Sequence, residues 1–258
     1  MDADEKKQAE IQKLLHILHT EEADKFIFLD KLSGEELQLL RQKINDITQF
    51  TQTDIWKRLT GVSKFLPNYM SAKIAESVMG PLITANMSYY MPIKDAVSIM
   101  KHLSIPYLAT VAEYMTPENA RQLINEIPID ILKKVTTELV QKKKYLVAAG
   151  FVDVSEISRL IELSKVITKE EDLIRISSYV ENKAYIAKIV ERFSDDRLQK
   201  IISTAYQFNL QDEVLTVFTH QSAKEVQRIL RIISLFPIHL KTQILNDFEH
   251  RITPKDEH

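Results

Sequence analysis

Residues 91–139 read MPIKDAVSIMKHLSIPYLATVAEYMTPENARQLINEIPIDILKKVTTEL. Met91, Leu103, Met115, Ile127 and Leu139 recur in this stretch every twelve residues. Five positions after the first four of these come Ala96, Leu108, Ala120 and Leu132, and eight positions after come Ile99, Val111, Leu123 and Val135. Offsets of five, eight and twelve lie three or four residues apart, which is the spacing that lines one face of a helix. Each unit also opens on an entry signal. Pro92 and Pro128 follow their anchors directly, Pro106 and Pro117 come two or three residues later, and Thr116-Pro117-Glu118 orders an N-cap, a first-turn proline and a first-turn acid. The unit is therefore a short turn followed by a helix of about two turns.

The same template returns outside this stretch. Leu32 is followed by Leu37, Leu40 and Ile44, with Ser33 and Glu36 in capping-box spacing. Phe193 is followed by Leu198, Ile201 and Ala205 behind a cap at Ser194, and Phe218 by Ala223, Val226 and Leu230 behind Ser222 and Glu225. A two-turn helix does not stand alone, because nucleation costs more than so few hydrogen bonds return. The fold expected is all-α: a right-handed α-solenoid, or superhelix, of short antiparallel helix pairs, with the Ala/Leu alternation at the fifth position alternating close approach and filling. Longer helices are expected between the repeats: an amphipathic one over 2–31 with Ile11, Leu14, Leu15 and Leu18 on its face, two more over 53–75 and 76–90 broken near Gly80-Pro81, and one over 129–149 ending at Gly150. Further helix starts are expected at Asp153/Glu156 and at Thr168/Glu171. The whole chain, 1–258, reads as one helical domain with a sub-boundary near 150.

The stretch Leu108 to Ala120, continuing to Ile127-Pro128-Ile129-Asp130-Ile131, resembles the helical superhelix of the N-terminal domain of MgtE-type magnesium transporters, a fold shared by the middle domain of the flagellar motor switch protein FliG. The resemblance lies in a hydrophobic residue followed by a Pro-Glu-x-Ala entry and a second apolar-Pro step. It covers about a third of the chain and implies a fold. It carries no magnesium-binding or motor residue to any position, and the Glu-His-Pro-Gln signature of FliG has only Thr219-His220-Gln221-Ser222 near it.

Composition narrows the function classes. The apolar fraction of 45% is that of a chain that folds, and only four glycines, Gly34, Gly61, Gly80 and Gly150, work against phosphate-cradling loops and hairpins. The formal net charge of −2 argues against nucleic acid as a partner. With no cysteine, thiol catalysis and zinc knuckles are excluded. The longest uncharged stretch, Ser77–Ile93, holds Gly80, Pro81 and Pro92 and makes a poor membrane span.

Site signals are weaker. His16 and His19 lie three apart with Glu22 and Asp24 behind them, but they interleave with Leu15, Ile17 and Leu18, the pattern of an ordinary amphipathic helix. Lys142, Lys143 and Lys144 end a helix, where the dipole favours cations and where an anionic partner would also dock. Phe65, Tyr69, Met70, Met79, Met87, Tyr89, Tyr90 and Met91 gather aromatic and thioether side chains, which serve either a core or an adaptable binding surface. Tyr69, Met70, Met87, Tyr89, Tyr90 and the three lysines are the interaction candidates. No catalytic, cofactor-binding or metal residue is assigned, and no cofactor is expected. The sequence points first to a non-catalytic, cytoplasmic protein–protein interaction or scaffold module that holds another protein. The alternative is a carrier or sensor of a small hydrophobic, lipid-like ligand, with Ser77–Ile93 lining its cavity.

The repeat register is testable by two substitutions. Leu123→Asp places a charge at an apolar repeat position and is expected to destabilise strongly. Glu118→Gln, in a helix first turn, is expected to cost well under about 1 kcal/mol. Comparable shifts of melting temperature for the two would overturn the register.

Overall fold

The computed structural model of the chain describes residues 3–18, 20, 23–50, 57, 60, 61 and 66–252, and among them there are helices and no strand. Two compact units divide between Ile127 and Pro128. None of the described helices is long and apolar enough to cross a membrane.

The first unit opens with α1 (Ala3–Ile17), a 3-10 segment (Ala23–Lys31) and α2 (Gly34–Phe50). A single helix over 2–31 is thus corrected to two elements. The reason lies in the core they share. Leu14 and Leu29 belong to one buried cluster with Ile11, Leu15 and Leu37, yet fifteen residues along a straight helix would hold them about 22 Å apart. Leu18, expected on the apolar face, is exposed. At the entry to α2 the capping box forms as its spacing implies. Ser33 N–H donates to Glu36 Oε2 at 2.8 Å, Glu36 N–H donates back to Ser33 Oγ at 3.3 Å, and these bonds hold the Glu36 carboxyl below the usual carboxylate range. Between the two helices Arg41 Nε donates to Glu10 Oε2 at 2.8 Å, both side chains being buried.

The chain continues as α3 (Asn68–Ile74), a π-helical turn (Ala75–Met79), α4 (Gly80–Tyr90), α5 (Ile93–Met100), α6 (Ile105–Glu113) and α7 (Pro117–Glu126). The second unit begins with α8 (Ile129–Gln141). Helices therefore start at 93, 105, 117 and 129, twelve residues apart, as the sequence periodicity requires. Ala96, Leu108, Ala120, Val111 and Leu123 are buried, while Ile99, Leu132 and Val135 are half-buried. The fifth anchor, Leu139, is buried inside α8 and marks no turn.

The second unit adds α9 (Tyr145–Val152), α10 (Ile157–Ser164), α11 (Glu170–Tyr179), α12 (Lys183–Val190), α13 (Asp195–Gln207), α14 (Gln211–Phe218), α15 (Ala223–Ser234) and α16 (Ile238–Ile252). The helix expected over 129–149 is in fact two helices. The chain turns at Lys142–Lys144, where Lys143 takes a left-handed φ of 56°, and Gly150 lies within α9 instead of ending a helix or a domain. From α8 to α14, every helix packs on the helix two further along, so two rows interleave within this unit; in the first unit α3 packs on α5, α4 on α6 and α5 on α7. The core of the second unit runs through both rows: Leu198, Ile202 and Ala205 on α13, Phe218 on α14, Ile229 and Ile233 on α15, and Ile244 and Phe248 on α16. Phe218 and Phe248 meet edge to face at 6.4 Å. Ser194 and Ser222 cap α13 and α15 through the backbone N–H groups of Arg197 and Glu225. The repeat register holds at Leu198, Ile201 and Ala205 but slips in α15, where Ala223 and Leu230 are exposed and Ile229, Ile232 and Ile233 are buried.

Short helices leave a large share of their backbone groups without an intrahelical partner, and side chains from about thirty residues away satisfy them. Arg197 Nη2 donates to the Ser164 and Ile167 carbonyls behind α10 at 3.0 and 2.8 Å. Arg228 does the same behind α12, donating to the Glu191 and Phe193 carbonyls. Asp153, read from the sequence as a helix start, instead accepts from the N–H groups of Glu181 and Asn182 at the entry to α12, at 3.0 and 3.2 Å. The neighbouring starts fall at Ile157, behind Glu156, and at Glu170, behind Lys169.

The buried Glu10–Arg41 pair supplies a stability test. Arg41→Ala leaves the Glu10 carboxylate buried beside Lys13 alone and is expected to cost about 3 kcal/mol, whereas Lys165→Ala, which removes an exposed partner of Glu162, is expected to cost less than about 1 kcal/mol. Urea denaturation of the two variants measures both; equal costs would mean that Glu10 is solvated.

Candidate functional site

The helix from Asn68 widens into a π turn at Ala75–Met79, closed by the Gly80 N–H on the Ala75 carbonyl, and breaks at Gly80. That residue takes φ +79° and ψ 171°, a backbone conformation disfavoured for residues carrying a Cβ, and Pro81 restarts the chain as α4. The wider π geometry is held from outside. Tyr107 Oη, from α6, donates to the Ala75 carbonyl at 2.6 Å and lies 2.7 Å from Thr84 Oγ1. Glu76, in the same turn, accepts from the Ser104 N–H at 2.6 Å and so caps the entry to α6. Tyr89 Oη accepts from the Thr116 N–H at 2.7 Å at the entry to α7; Thr116 makes no side-chain cap of its own. Burial pushes the Tyr89 phenol up to about 12.

These ties frame a cavity of about 160 Å³ inside the first unit, partly open to solvent, between α3, the π turn, α4, α5 and α6. Met79, Met87, Met91, Met100 and Met115 line it, five of the seven methionines in the chain. Among the described residues its walls are otherwise aliphatic apart from the hydroxyls of Ser71, Thr84 and Ser88, and none of those residues is charged. Five residues of the uncharged Ser77–Ile93 segment, expected from the sequence to line an apolar cavity, stand on this wall: Met79, Thr84, Met87, Ser88 and Met91. Thr84 Oγ1 donates to the Gly80 carbonyl at 2.9 Å and Ser88 Oγ to the Ala85 carbonyl at 2.7 Å. Ser71 Oγ is buried without a hydrogen-bond partner.

A second cavity of about 120 Å³ lies within the second unit, lined by Leu139, Phe151, Ile174 and Phe218 among others. The hydroxyls on its wall at Ser164 and Ser177 donate to the Ile161 and Ile174 carbonyls, so it reads as space between packed layers.

The candidates named from the sequence divide between the units. In the first, Met87 is buried on the cavity wall and Tyr89 and Tyr90 are half-buried, while Tyr69 is 61% and Met70 40% exposed on α3. In the second, Lys142, Lys143 and Lys144 are exposed at the end of α8 and its turn, with Lys142 paired to Glu138 at 3.0 Å. Phe65, His19 and Glu22 lie outside the described residues, and among the described ones no group of three or more His, Asp or Glu is placed to hold a metal ion. Two contributors escaped sequence reasoning. The π turn carries no sequence signal beyond Gly80, and the lone hydroxyl of Ser71 is indistinguishable from other helical serines until its surroundings are known.

No protein family, curated protein or solved structure matches the chain.

Tyr89 gives the frame of the cavity a pH signature. Its phenol ionises near 10 when solvated and near 12 in the fold, so its stabilising contribution is complete below pH 10 and is lost as pH rises toward 12. Tyr89→Phe keeps the ring and removes this titration. The expected outcome is a shallower alkaline loss of stability than in the wild type, measured by denaturation across that window; an unchanged loss would place the phenol in water.

Proposed function

We propose that the chain is a non-catalytic binding module and that the methionine-lined cavity of the first unit takes up a small hydrophobic ligand. The observation that carries this reading is the concentration of five methionines around one cavity whose described lining bears no charge. Thioether side chains are flexible and polarizable, so they close around ligands of differing shape. The volume of about 160 Å³ is close to that at which an engineered apolar cavity, about 150 Å³, stays dry and binds benzene. The bracing by Tyr107, Glu76 and Tyr89 supports a preformed site.

The second reading is a protein–protein interaction or scaffold module, favoured by Tyr69, Met70, Val78 and Leu82, which stand exposed along α3, the π turn and α4. It goes with a cytoplasmic location, without nucleic acid as a partner, and with the solenoid architecture of MgtE-type N-terminal domains, which the twelve-residue spacing of helix starts supports. Superhelices of that kind present extended surfaces to partners.

Toluene serves as the probe for the leading reading. Saturating toluene is expected to raise the melting temperature of the wild-type chain. Ala96→Leu, which grows a buried wall residue into the cavity, is expected to abolish that rise while leaving the probe-free melting temperature equal or higher. Equal toluene shifts in both proteins would remove the cavity as the site. A stoichiometric protein partner that is lost on Tyr69→Ala, with no toluene effect in the wild type, would decide for the scaffold.

A further inference from the structure

The hydroxyl of Ser71 narrows the class of ligand. On α3 to α6, Ser77, Thr84, Ser88, Ser98 and Thr110 all return their hydroxyl protons to carbonyls of their own helices, at 2.6–3.0 Å. Ser71 does not, although its own N–H pairs normally with the Pro67 carbonyl. It is 8% exposed, its Oγ has no hydrogen-bond partner, and it stands on the cavity wall. A buried hydroxyl left unpaired costs more than one paired to anything, so the site gains by receiving a ligand atom there.

From this we propose that the cavity takes a small, neutral aromatic molecule carrying one hydrogen-bonding group, with that group on Ser71 Oγ and the ring among the methionines. The inference rests on the reading of the cavity as a ligand site and deepens it. Charge argues against one class: no cationic side chain among the described residues lines the wall, so a carboxylate or phosphate would meet no cation there. Size excludes another, since a volume near that of a benzene-binding cavity admits a single ring or a short chain and not a full acyl tail. The thioethers choose between those two, because sulfur contacts to an aromatic ring are favourable beyond simple apolar burial. Phenol is the simplest molecule that meets all three conditions, and toluene is its match in shape without the hydroxyl.

Calorimetric titration of the full chain with phenol and with toluene tests the assignment. In the wild type both bind. In Ser71→Ala the toluene affinity is expected to stay within twofold, while the ratio of phenol to toluene affinity falls by about fivefold, the worth of one neutral hydrogen bond. Taking the ratio cancels the cost of dehydrating phenol. Ser71→Cys, which keeps the shape with a weaker donor, is expected to fall between the two. An unchanged ratio in Ser71→Ala would overturn the anchoring role of Ser71 and leave the cavity reading intact. Failure of both aromatics to bind the wild type would overturn the cavity reading and this inference together.

Discussion

A helix of two turns has to take its stability from the helices around it, and nearly every feature of this chain answers that constraint. The helices of the twelve-residue repeat run from eight to thirteen residues, at or below the length at which an isolated helix becomes marginal in water. Within its own unit each therefore buries a stripe against a helix two away, as α5 does on α3 and α7, α6 on α4, and α8 on α10. The stripe needs few residues: Ala120 and Leu123 on α7, or Leu198, Ile201 and Ala205 on α13, are enough to hide one side of two or three turns.

The same shortness raises the share of backbone groups that a helix cannot satisfy internally. Local caps meet part of the demand at Ser33, Ser194 and Ser222. Long-range side chains meet more of it: Arg197 and Arg228 reach carbonyls behind α10 and α12, Asp153 meets the N–H groups entering α12, and Glu76 and Tyr89 meet those of Ser104 and Thr116. Such ties do two things at once. They satisfy polar groups, and they set the spacing between helices that are not adjacent in sequence. The cavity of the first unit owes its frame to two of them.

What could be read from the sequence follows from this physics. The starts at 93, 105, 117 and 129 were legible because proline and apolar spacing act within a few residues of where they stand. The wall of the cavity was legible in part, since Ser77–Ile93 is uncharged for seventeen residues, and an uncharged segment too broken to span a membrane must find an apolar place. The break after Gln141 was not legible, because it rests on Lys143 taking a left-handed φ, a state that lysine composition does not announce. Gly150 misled for the opposite reason: a glycine that could end a helix sits inside α9 among Val147, Ala148 and Ala149, all buried. The register slip in α15 arises because Ile229, Ile232 and Ile233 offer a better stripe than Ala223 and Leu230. Long-range partners such as Arg197 and Asp153 have no local signature at all.

The cavity also bears on stability. An empty space of about 160 Å³ in an apolar core carries a cost of up to about 4 kcal/mol by the mutational scale for cavities, reduced here by its partial opening to solvent. That is a large fraction of the 5–15 kcal/mol by which a typical domain is stable. A core under pressure only for stability would close such a space with a few larger aliphatic side chains. This one keeps Ala75 and Ala96 on the wall, surrounds them with unbranched thioethers, and leaves the Ser71 hydroxyl unpaired. Small residues, adaptable residues and an unpaired donor together destabilise the empty protein, which accords with the proposed reading of a site that takes a ligand. The energetic cost of the empty state and the proposed role of the site are two sides of one arrangement.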